Sequence, residues 1–179
     1  VDQLEFNGPS DFGALTANPS GKFTRSVFHP DGGGATYQMA PADVMDTSSP
    51  GMWYYNADWA VANIGTTTGA DSSGNEMTAF LVGIKQSVCQ KIDDALGITT
   101  NPIPVLANGA TTDFEKTQGT GATTASPPNT FELFAAAPAG TQCLDTTACG
   151  TPGALAGQPF ACVQTTDGKY LYYHVLLER

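Results

Sequence analysis

Four cysteines, Cys89, Cys143, Cys149 and Cys162, accompany only two histidines in a chain of 179 residues, and no CxxC pair occurs. That inventory favours cross-links over zinc, whose structural sites draw on clustered Cys and His. Four cysteines allow three pairings. Cys143 and Cys149 bracket the short segment Leu144-Asp145-Thr146-Thr147-Ala148 and close naturally on each other, which leaves Cys89 for Cys162. Closing so long a loop restricts the unfolded chain by about 4 kcal/mol in the loop-entropy account. Two such bridges place the chain in an oxidising compartment, the periplasm or the cell exterior.

Length and a hydrophobic content of 41% suit one core, so residues 1–179 are expected to form a single globular domain. Seven Lys and Arg stand against seventeen Asp and Glu, for a net charge of −10, and the seven cations are scattered along the chain. A phosphate-binding face needs clustered cations, so no nucleic-acid partner is expected, and an anionic membrane surface would repel the protein for the same reason. Charged residues reach only 13%, about half the usual share, while Gly and Pro are frequent and the aromatics are sufficient for a core. This is the composition of a loop-rich extracytoplasmic protein. No stretch approaches the roughly 18 apolar residues that span a bilayer.

Met77, Phe80, Leu81, Ile84, Val88, Ile92, Ala95 and Leu96 recur at three- and four-residue spacing, which predicts one main helix over about 73–97. Ser73-Gly-Asn-Glu76 reads as its capping box and Gly97 as its left-handed terminator. The fold expected is α+β: an antiparallel sheet packed against that helix, with long irregular loops. Tyr170 to Leu177 is a strand, with Leu171, Tyr173, Val175 and Leu177 on one face and Tyr170, Tyr172, His174 and Leu176 on the other. Asp167-Gly168 marks a hairpin to a partner strand over Phe160–Gln164 that carries Cys162. Further strands are expected at Phe23–Phe28, Ala35–Met39, Trp53–Tyr55 and Trp59–Ile64, the first two joined by the turn His29-Pro-Asp-Gly-Gly-Gly34. Residues 98–130, rich in Pro, Thr and Gly, read as surface loop.

The search for chemistry finds little. No Gly-x-Ser-x-Gly elbow occurs; His29 reads as a turn residue and His174 as an ordinary sheet histidine. Asp93 and Asp94 diverge by about 100° on the helix and are placed on or beside its solvated face. Asp43, Asp46, Asp58 and Asp71 fall in loops with no spacing that predicts their meeting. Asp71-Ser-Ser-Gly-Asn-Glu76 offers oxygen ligands for calcium but lacks the twelve-residue loop pattern, and the capping box accounts for it better. Gly32-Gly33-Gly34 lacks the Lys-Ser/Thr that follows a phosphate loop. Trp53-Tyr54-Tyr55 and Trp59 offer an aromatic platform for sugar, with core packing as the simpler reading. No catalytic residue, metal or cofactor is therefore expected.

The strand ending in Phe28-His-Pro-Asp-Gly-Gly-Gly34, the helix through Phe80 to Leu96 with Cys89 and Leu96-Gly97-Ile98, and the closing Cys162 with Tyr172-Tyr-His-Val-Leu-Leu177 together resemble the periplasmic globular part of bacterial type IV pilin-like proteins, including the pseudopilins of type II secretion. The likeness covers most of the chain in the order of its elements. The family's cleavage motif, with Phe-Thr-Leu-Ile-Glu and about twenty apolar residues after it, is absent from these residues. The resemblance implies a structural filament subunit whose partners are other pilin or pseudopilin subunits. It also implies an N-terminal hydrophobic helix ahead of Val1 that anchors the subunit in the inner membrane before assembly, and a globular part displayed in the periplasm or at the cell surface. An alternative is a secreted or cell-surface module that binds a ligand or glycan through the Trp53–Trp59 region.

Overall fold

The computed structural model describes residues 27–28, 30–49, 51–56, 59–65, 76–98, 103–107, 109–115, 142–145 and 153–177. The chain divides into two units, Val1–Gln38 with Lys116–Ala135, and Met39–Glu115 with Ala136–Arg179. In the first, the glycine-rich turn closes where the sequence places it. The Ala35 amide donates to the Val27 carbonyl at 2.9 Å, and the Phe28 and Tyr37 rings meet edge to face at 5.3 Å. A Cβ on Gly33 would lie 2.7 Å from the Val27 carbonyl oxygen, so only glycine fits there. The strand expected over 35–39 does not form, and 23–26 lie outside the described residues.

The second unit carries strands β1 (Trp53–Asn56), β2 (Trp59–Ala60), β3 (Met77–Val82), β4 (Gln142–Cys143), β5 (Phe160–Gln164) and β6 (Tyr170–Leu177), with helices α1 (Gln86–Leu96) and α2 (Thr111–Phe114). Four strands form an antiparallel sheet in the order β1-β3-β6-β5, so the expected α+β mixture is present. The β5–β6 hairpin turns at Gly168, whose φ is +84°, with Gly168 N–H donating to Thr165 O at 2.9 Å. Thr165 tightens the turn through its hydroxyl, which donates to Lys169 O at 3.0 Å and accepts from Lys169 N at 3.1 Å.

The helix expected over 73–97 begins only at Gln86, and its first half is strand β3. The reason is burial. Every residue of β3 is buried because the strand lies between β1 and β6 with both faces covered, and a central strand then reads as a continuous apolar run that helical spacing also fits. Gly83 ends the strand at φ +80°, where a Cβ would collide with the Ser49 hydroxyl, and the Gly83 and Ile84 amides both donate to Tyr170 O, at 2.8 and 3.2 Å. Lys85, in extended conformation, is the true N-cap, while Gly97 terminates α1 in the left-handed conformation as predicted. Of the strand expected over Trp59–Ile64 only Trp59–Ala60 forms, pairing in parallel with β4, before Asn63 turns the chain at φ +61°. Within 98–130, residues 103–106 are not free loop. Gln164 N–H donates to Pro104 O at 2.8 Å and Leu106 N–H to Gln164 O at 2.9 Å, so this segment covers the outer edge of β5.

Alternation along the sheet sends side chains into two cores. On one side Phe80, Leu171, Tyr173, Ala161 and Val163 pack with Trp59, Phe114, Leu144 and Leu155, where the Trp59 and Phe114 rings stack at 4.3 Å. On the other, Leu81 and Cys162 pack beneath α1 with Cys89, Ile84, Met45 and Ile103. Burying each large apolar side chain contributes roughly 1.5–3 kcal/mol.

Candidate functional site

The joint between α1 and the edge strand β5 is built on one residue. Cys162 forms the disulfide with Cys89, spanning 73 residues of sequence and joining Cα atoms 5.2 Å apart, and both cysteines are fully buried. One turn along α1 from Cys89, Asp93 is buried as well, and its Oδ1 accepts the Cys162 amide at 3.0 Å. That amide points away from β6, so the carboxylate caps a donor that the edge strand would otherwise leave unmade. Asp93 was expected on or beside the solvated face of the helix and is the opposite, while its neighbour Asp94 is exposed. Burial pushes the Asp93 carboxyl up to about 6; the Cys162 amide pulls it down less, and the Asp94 charge adds to the rise. The Cys143–Cys149 pairing lies outside the described residues, because Cys149 does.

Two more buried acids serve the backbone. Glu76 does not cap a helix: its Oε2 accepts the Val61 amide at 2.8 Å, fixing the start of β3 to the residue after β2. Asp145 accepts Gly153 N–H at 2.7 Å and Leu155 N–H at 3.3 Å, so it organises the loop that delivers Leu155 to the core. Neither role was legible, although Cys89 and Asp93 stand four residues apart, a spacing that puts both on one helix face. Tyr173, beneath the sheet, donates to Gln158 O at 3.0 Å; burial, with the charges of Asp145, Asp93 and Tyr172, holds its phenol well above the usual tyrosine range.

The surface candidate is the sheet face beside α1. Register places Trp53, Leu81, Tyr172 and Cys162 in one cross-strand row and Tyr55, Ala79, His174 and Phe160 in the next. The rings of Trp53 and Tyr172 meet edge to face at 6.1 Å, Tyr172 and His174 at 6.3 Å, and His174 and Phe160 at 5.5 Å. Helix α1 covers the disulfide end of this face, and His174 and Leu176 reach solvent, Leu176 with 42% of its surface exposed. The result is a continuous aromatic strip on the sheet.

Trp59 is absent from that strip; it is fully buried against Phe114, so the pairing of Trp53 with Trp59 as one sugar platform does not occur. Asp43 and Asp46 are exposed in a loop. His29, Asp58 and residues 71–75 of the calcium-like segment lie outside the described residues. Among the described residues no group of three or more His, Cys, Asp or Glu is placed to hold a metal ion, and no helix is long and apolar enough to cross a membrane. The chain matches no protein-family model, no curated protein and no solved structure.

Proposed function

We propose that this chain is a non-catalytic, surface-assembling domain of an oxidising compartment, and more narrowly a filament subunit of the type IV pilus or type II secretion pseudopilus kind. The observation that carries the reading is the strip Trp53–Tyr172–His174–Phe160 with Leu176 beside it. Aromatic side chains joining an apolar body to a polar tip are the residues that protein interfaces favour, and a sheet presents them without the entropy loss of ordering a loop. The buried Cys89–Cys162 bridge fits a domain that works outside the reducing cytosol. The filament role itself rests on the resemblance to pilin-like proteins.

The codons ahead of Val1 test this directly. A short basic leader followed by about twenty apolar residues supports the filament subunit. An ordinary cleavable signal peptide favours instead a secreted binding module, the second reading, for which the half-buried Trp53 beside Tyr172 and exposed His174 supplies stacking surface for a sugar ring.

A further inference from the structure

We infer that Asp93 is a proton-operated clamp between α1 and β5: uncharged, it seats the helix firmly on the edge strand, and ionised, it loosens that seat, so the joint is tighter in acid than at neutral pH.

The geometry comes first. The carboxyl is fully buried at the point where the disulfide crosses, with Oδ1 bonded to the Cys162 amide and Oδ2 buried without a hydrogen-bond partner among the described residues. An ionised carboxylate needs several donors to offset its lost hydration, and this one has a single amide. Among the described residues no cation hydrogen-bonds to it. On α1 the charged neighbours are Asp94, whose charge opposes ionisation, and the exposed Lys91. β5 offers no ionisable side chain, since Cys162 is in the disulfide. β6 offers Tyr170, Tyr172, Tyr173 and the exposed His174, and burial raises the Tyr172 and Tyr173 phenols so that both are neutral here. The covering segment 103–106 contributes Ile103, Pro104, Val105 and Leu106.

The sign follows from linkage. With a folded value of about 6 against 3.8 for the free side chain, the unfolded chain releases this proton first as pH rises. Stability is therefore full below pH 4, falls between about pH 4 and 6, and stays at its lower level above that window. Between pH 7.5 and pH 5 the folding equilibrium should improve by about tenfold through this one group. The general relief of a net charge of −10 on acidification acts on the whole protein, so the diagnostic quantity is a difference between variants.

The experiment is urea unfolding of the oxidised protein and of Asp93→Asn at pH 5 and pH 7.5, with the Asp93 carboxyl carbon of the wild type titrated by NMR. Asn keeps an oxygen for the Cys162 amide and removes the charge. The clamp predicts that the wild type gains about tenfold more than Asp93→Asn on acidification, and that the carboxyl titrates near pH 6. Equal pH dependence of the two proteins, or a carboxyl that titrates near the ordinary aspartate value, overturns it. If Asp93→Asn fails to fold, the NMR titration alone decides.

Discussion

At the scale of single residues, this protein uses acids where soluble domains more often use backbone or hydroxyl partners. Glu76, Asp93 and Asp145 are buried, and each accepts a main-chain amide that the fold leaves outside its ladders. Asp145→Ala orphans the amides of Gly153 and Leu155, so thermal unfolding should show a loss of about 1–3 kcal/mol per amide, and Asp145→Asn, which retains one oxygen, should lose less. Gly109 is equally constrained: at φ +105° its Cβ would fall 2.7 Å from both the Trp59 and Phe114 rings. Gly109→Ala should therefore destabilise by about 1–3 kcal/mol in the same assay, through overpacking and backbone strain together. Little of this was legible, because a charged residue in a sequence carries no mark of which backbone amide will reach it. The charges of Asp93 and Asp94 look alike in sequence; a step of about 100° around the helix buries one and exposes the other.

At the scale of elements, legibility followed the strength of the local signal. The Asp167-Gly168 hairpin and the alternation along β6 were readable because turn chemistry and a period of two are both short-range. Strand β3 was not, because a strand flanked on both sides and covered on both faces loses its alternation, and Met77 to Ile84 then joins the true helix stripe of Val88 to Leu96 without a visible seam. Only Gly83 marks the seam, and its meaning depends on Ser49 lying against it. The pairing of Cys89 with Cys162 follows by elimination once Cys143 is given to Cys149, and it is present, joining α1 to β5. Replacing both by alanine should cost about 4 kcal/mol in urea unfolding, as a separation of 73 residues implies, and a reductant should bring the wild type close to the same midpoint. An unchanged midpoint would mean that the Asp93 bond and apolar packing hold the helix without the bridge.

At the scale of the molecule, the antiparallel α+β sheet and its helix were anticipated in kind, whereas the aromatic strip was not. It arises from rows contributed by β1, β5 and β6, and only the strand register, a long-range property, puts Trp53 beside Tyr172 and Phe160 beside His174. Trp59, on the separate β2–β4 pair, is withdrawn into the core. The central functional claim is that this strip meets another subunit of the same kind. Its most direct test places a photo-reactive amino acid at His174, the exposed centre of the strip, in the full-length protein expressed from its own gene in its own cells. The account predicts cross-links to a second copy of the chain or to another subunit with a pilin-like N-terminal helix. A strip that yields only carbohydrate adducts, or none with any such subunit in cells where the protein is displayed, contradicts it.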